Sequence, residues 1–187
     1  MEFRLVYEGP LKAATSREPR TDNQQEVRRA LHPQLSHLWT RNPELVSLTT
    51  HPPGWIDHLG NTFAKCGYRF VPLVSNALEL VCHLDILFLR RENPGELVRH
   101  GGDLDARLKT LFDALRIPST CEGLKEPGEN ENPFFCLLED DALITGLQIT
   151  TDRLLTAPSG RETDVSLVIH VRVKATRVTI ANMALLT

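Results

Sequence analysis

The chain has 187 residues, 41% hydrophobic and 24% charged, with 11 Gly and 12 Pro. That length and composition suit one globular domain with its own core and exclude a disordered or collagen-like chain. Lys and Arg number 21 against 24 Asp and Glu, for a formal net charge of -3, so any contact with nucleic acid has to come from a local basic patch. The longest apolar stretch, Leu84 to Leu89, carries Asp85 and is too short to span a bilayer. Glu2, Arg4 and Glu8 break the apolar run that an export signal needs. A cytoplasmic protein with no membrane partner is expected. Cys66, Cys82, Cys121 and Cys136 form no Cys-x-x-Cys pair, which argues against a zinc ribbon or thioredoxin-type site. Four unpaired thiols are expected, with Cys82 a buried small hydrophobe.

Phe3 to Tyr7 alternates apolar and polar residues and predicts a first strand, stopped by Gly9-Pro10. Residues 12–22 read as a loop, and Thr21 or Asp22 caps a helix with Gln24 or Gln25 completing a capping box. That helix places Val27, Leu31, Leu35 and Leu38 on one face, and Pro33 is expected to kink or split it. Asn42-Pro43 ends it. A second helical stretch from near Pro53 carries Trp55 or Ile56, Leu59 and Phe63, and Gly67 closes it.

Leu78, Leu80, Cys82, Leu84, Ile86 and Phe88 recur at every second position, the pattern of a long half-buried strand. His83 and Asp85 share its other face, which reads as an outward polar face and not as a ligand pair. From about Asp103 to Leu115 the spacing of Leu104, Leu108, Leu111 and Leu115 predicts a helix. Residues 116–133, rich in Pro, Gly, Glu and Asn, read as a long excursion. Strand-like runs then follow at Phe134 to Leu138, Leu143 to Asp152 and Asp164 to Val173. The order predicts an α+β fold: a mixed β-sheet packed against helices in a single domain spanning residues 1–187, with insertions near 40–76 and 116–133.

Two acidic clusters carry the candidate chemistry. Asp103 sits at the start of the predicted helix, where a carboxylate caps free backbone N–H groups. Asp105 and Lys109 are four apart and share a face opposite the leucine stripe; read alone, they form an exposed ion pair. Glu139-Asp140-Asp141 lies between two strand-like runs and, read alone, is a solvated turn. Together, aspartates from a helix start and a strand end are the oxygen ligands that Mg2+ prefers, with a lysine to neutralise a phosphoryl oxygen or orient water. No P-loop, dinucleotide fingerprint or Gly-x-Ser-x-Gly elbow occurs. Trp39 and Trp55 read as core or interface residues.

Gly102-Asp103-Leu104-Asp105-Ala106-Arg107-Leu108-Lys109, the following Asp113-Ala114-Leu115, and the later Asp140-Asp141-Ala142-Leu143-Ile144 resemble the RusA family of Holliday-junction resolvases. That family's pattern is Asp-x-Asp-Asn-x-x-Lys, then Asp-Ala-Leu, then Asp-Asp before an apolar strand. The resemblance covers mainly residues 80–152. It implies a RusA-like domain and a homodimeric, Mg2+-dependent endonuclease, with Mn2+ a possible substitute, that cuts branched DNA at four-way junctions. By motif position it implies Asp103, Asp105 and Asp141 as metal-binding catalytic residues, Lys109 as the catalytic lysine and Asp140 as an additional acidic residue. Arg90, Arg91, Arg99, His100 and Arg107 then form a candidate DNA-binding rim. The chain departs from the family at Ala106, where the pattern has Asn, and in the longer segment before Asp140. Those departures and the acidic balance favour a second reading, a non-catalytic homodimeric scaffold that keeps the fold. A third is a phosphohydrolase with a closed pocket for small nucleotides.

Overall fold

The computed structural model describes residues 1–13, 21–50, 54–91, 104–155 and 163–186. The elements run β1 (Glu2–Pro10), α1 (Thr21–Arg41), α2 (Pro43–Thr50), α3 (Trp55–Thr62), β2 (Ala64–Lys65), β3 (Tyr68–Val74), β4 (Leu80–Arg90), α4 (Leu104–Leu115), β5 (Phe134–Leu138), β6 (Ile144–Arg153) and β7 (Asp164–Ala175). Short 3-10 turns occur at Asn76–Leu78, Asp141–Leu143 and Met183–Leu186. The fold is α+β. One mixed sheet has the order β1-β7-β4-β6 and a second has the order β2-β3-β5.

In the larger sheet β7 is antiparallel to β1 and β4, whereas β6 is parallel to β4. Two parallel neighbours need a crossover, and α4 lies on the connecting segment between them. The alternation of β4 places Leu80, Cys82, Leu84, Ile86 and Phe88 on the buried face, none more than 1% exposed. His83 and Asp85 stand on the other, half-buried face, opposite Arg172 and His170 of β7. Helix α1 packs on β1, β5 and α4. Val27, Leu31, Leu35 and Trp39 are each at most 2% exposed, and with this continuous contact on both sides of Pro33 the helix is not split there. Gln34 covers the edge of β1: its Nε2 donates to the Val6 carbonyl at 2.7 Å and its Oε1 accepts from the Val6 N–H at 2.9 Å, which blunts an open sheet edge.

Described residues of the 40–76 segment pack into the main core. Leu45, Leu59, Val71, Leu73 and Val74 are fully buried in the main core. Helix α3 packs on β3, and β3 pairs in parallel with β5. Helix α1 ends at Arg41, ahead of Asn42-Pro43 as expected, and Pro43 then opens α2, as a residue with no N–H does at a first turn. The excursion 116–133 is likewise tied down. Ile117 and Leu124 pack against Tyr68, Phe70 and Phe134. His32 of α1 holds its end: its Nδ1 accepts from the Phe135 N–H at 2.9 Å, its Nε2 meets the Asn130 carbonyl at 2.9 Å, and its ring stacks on Phe134 at 4.4 Å.

The expected four free thiols are corrected by a Cys66–Cys121 disulfide with Cα atoms 5.5 Å apart. It ties the β2–β3 turn to the excursion. Cys82 and Cys136 are free and buried, and burial pushes both thiols up to about 12. Among the described residues no helix is long and apolar enough to cross a membrane.

Candidate functional site

Helix α4 is oriented by its apolar stripe. Leu108, Leu111, Ala114 and Leu115 are buried, and each fully buried Leu contributes about 1.5–3 kcal/mol to holding the helix on the sheet. This leaves Asp105 and Lys109 exposed and Asp113 half-buried, at the four-residue spacing of one helix face. Asp105 and Lys109 make no ion pair within 4.0 Å, so the exposed pair read from their spacing is not formed.

The second acidic cluster does reach α4, at its C-terminal end. The Ile117 N–H donates to the Leu138 carbonyl at 3.0 Å, and Arg116 forms a parallel bridge with Leu138, which draws the end of α4 onto the end of β5. Arg116 then sits among three carboxylates: 3.0 Å from Asp113 and 4.0 Å from each of Asp140 and Asp141. Glu139 turns away, its carboxylate accepting from the Asn76 N–H at 2.7 Å and Nδ2 at 3.2 Å. Asp140 caps the following 3-10 turn by accepting from the Ala142 N–H at 3.0 Å. The Asp140 and Asp141 side chains stay about half exposed, at 51% and 48%.

Asp105 lies near the other end of the helix. Eleven residues separate it from Arg116, about 16 Å of helix axis at 1.5 Å per residue. Among the described residues no group of three or more His, Cys, Asp and Glu side chains is placed to hold a metal ion. The acidic pair leans on a guanidinium instead, so the described carboxylates do not by themselves fit the Mg2+ site that the resemblance implies. Asp103, Arg99 and His100 lie outside the described residues.

Two members of the expected basic rim are buried. Arg90 is 2% exposed and Arg107 1% exposed, so neither guanidinium faces solvent where a DNA backbone runs. Arg90 continues the inward alternation of β4, and Arg107 falls on the buried stripe of α4 one turn after Leu104. Arg91 is half-buried.

Lys109 and several residues without an assigned role line a cleft of about 350 Å3 between the first turns of α1, the C-terminal half of α4 and the loop after it. Arg28, Lys109, Asp113, Arg116 and Glu122 supply its charges. Gln24 Nε2 donates to Asp113 Oδ2 at 3.1 Å, and Arg28 donates to the Asp113 carbonyl at 2.7 Å. Asp113 was legible as the residue four after Lys109 and the first of the Asp-Ala-Leu motif; Arg28 had no local signal. The chain matches no family model, no curated protein and no solved structure.

Proposed function

We propose that the protein is a RusA-type endonuclease that hydrolyses phosphodiesters in branched DNA, acting as a homodimer. One observation carries this reading: Asp140 and Asp141 stand against the helix that presents Asp105 and Lys109. The acidic stretches, some thirty-five positions apart in sequence, thus border one element. In this reading Lys109, exposed and unpaired among the described residues, neutralises a phosphoryl oxygen as charge builds up on it. Magnesium, with manganese as a substitute, belongs to the reading and would draw on Asp103, Asp105 and Asp141. Among the described residues, Asp105 and Asp141 belong to no group of carboxylates placed to hold a metal ion. The Cys66–Cys121 disulfide weighs against a strongly reducing compartment.

The test is cleavage of a four-way junction by the purified chain with Mg2+. Loss of cleavage in Asp105→Asn and in Asp141→Asn, with folding intact, is the expected result. Undiminished cleavage in both would remove the assigned residues.

A specific observation favours a second reading, a non-catalytic scaffold. Arg116 occupies the space among Asp113, Asp140 and Asp141, so a built-in cation takes the position that a metal ion would contest. That reading predicts junction binding without cleavage at any divalent-cation concentration.

A further inference from the structure

We propose that the cleft between the N-terminal turns of α1 and the C-terminal half of α4 binds a phosphoryl oxyanion, held by Arg28, Lys109 and Arg116. The strongest element is Arg28. Its side chain lines the cleft yet is only 4% exposed. Its two acceptors are neutral, Gln25 Oε1 and the Asp113 carbonyl, both at 2.7 Å, and its Nε–H has no acceptor. Among the described residues no carboxylate oxygen lies within 4.0 Å of its guanidinium. A buried cation without a counter-charge is costly, and burial brings its pKa down to about 10. An anion entering the cleft supplies the missing charge.

The other groups complete a cationic wall. Lys109 is exposed and, among the described residues, unpaired, and Arg116 faces the cleft from the end of α4. Of the two lining carboxylates, Asp113 is already held by Arg116 and Gln24, and Glu122 is exposed at the mouth. Thr21, the first residue of the 21-residue helix α1, also lines the cleft, so the positive end of that helix dipole faces the same space. The volume admits a phosphate with an attached sugar and not a duplex. The occupant is therefore a phosphoryl group, either the monoester of a nucleotide or strand end, or a diester of a single strand. The site stands on its own geometry: a non-catalytic protein with this fold holds the same anion.

The experiment titrates the full chain with inorganic phosphate, thymidine 5′-monophosphate, thymidine, and an oligothymidylate without a terminal phosphate, read by calorimetry and amide chemical shifts. Saturable phosphate binding is expected, with shifts confined to residues near 21–28 and 109–124. Arg28→Gln should weaken it at least tenfold. Ser119→Asp places a carboxylate on the exposed rim and should weaken binding several-fold without moving Tm, which decides the matter if Arg28→Gln does not fold. Tighter binding of the monophosphate than of the oligothymidylate assigns the pocket to a monoester, and the reverse order assigns it to a backbone diester. Absence of saturable phosphate binding, binding unaffected by both substitutions, or thymidine binding as tightly as its monophosphate would overturn the proposal.

Discussion

The Arg116 guanidinium approaches the Asp141 carboxylate to 4.0 Å, and this contact decides how the acidic motif is used. A carboxylate pair left to solvent is a ready partner for a divalent cation, whereas one beside a guanidinium already has its positive charge. Arg116→Gln should therefore strengthen Mn2+ binding at Asp140 and Asp141 several-fold, measured by calorimetry against the parent chain. Loss of the Asp113 pair should lower stability by about 1 kcal/mol. Identical Mn2+ affinity in the two proteins would mean that Arg116 is not the competing cation.

Strong local periodicity was readable, and long-range pairing was not. Strand β4 and helix α4 show in their leucine spacing because each buries one face and exposes the other. Strand β3 is buried along nearly its whole length, so Tyr68 to Val74 has no alternation to find, and Pro72 speaks against a strand until its parallel partner β5 is known. Arg90 and Arg107 fall on the apolar repeat of their own elements, and that position, more than their charge, accounts for their burial. The acidic stretch 139–141 was legible as chemistry. Its position at the far end of α4 from Asp105 follows from the Arg116–Leu138 bridge, a contact between residues 22 apart that no local pattern encodes.

The Cys66–Cys121 disulfide closes a segment of 55 residues and fastens one wall of the cationic cleft, since Ser119 and Thr120 of that wall are its near neighbours. The Lys65 ammonium adds a second tie by donating to the Ser119 carbonyl. Removing a crosslink over such a span raises the entropy of the unfolded chain and should cost about 2–4 kcal/mol. Cys121→Ser should lower the denaturant midpoint accordingly and weaken phosphate binding, while the parent protein shows the same two changes only on adding reductant. Unchanged stability on reduction would show that the noncovalent contacts of residues 116–133 suffice.

Alkaline pH should destabilise the fold. The thiols of Cys82 and Cys136, ordinarily near 9.0, are held up to about 12 by burial, and burial with the nearby charges of Glu26 and Asp164 raises Tyr7 as well. Between the unfolded and folded values the native state keeps protons that the unfolded chain releases, so stability falls as pH climbs above about 9. Arg28 acts in the opposite sense, its lowered value relieving a native-state penalty above pH 10, but three groups oppose it. The denaturant midpoint should drop between pH 8.5 and 11, and the slope should flatten in Cys82→Ala/Cys136→Ala. An unaltered slope in that variant would take the thiols out of the explanation.

Strand β6 is positioned on β4 by a register shift at Cys82/His83: Cys82 pairs with Ile144, and His83 with Gly146. The shift depends on an absent side chain. A Cβ on Gly146 would stand 2.7 Å from His83 Cγ and 2.8 Å from His83 Cδ2, well inside contact distance. The ring has little freedom to retreat, because it is half-buried on the sheet and its Nε2 meets Lys174 Nζ at 3.5 Å. Gly146→Ala should therefore cost about 1–3 kcal/mol, the range for overfilling a packed site. Because Gly146 lies five residues after Asp141, a shifted β6 also displaces the acidic pair from Arg116, which should appear as a change in the Asp140 and Asp141 backbone resonances. Adding His83→Ala removes the ring that the new methyl strikes, so the double variant should regain most of the loss, the non-additivity expected of touching residues. Two independent, additive losses would instead place the constraint in the backbone of β6 and not in the imidazole.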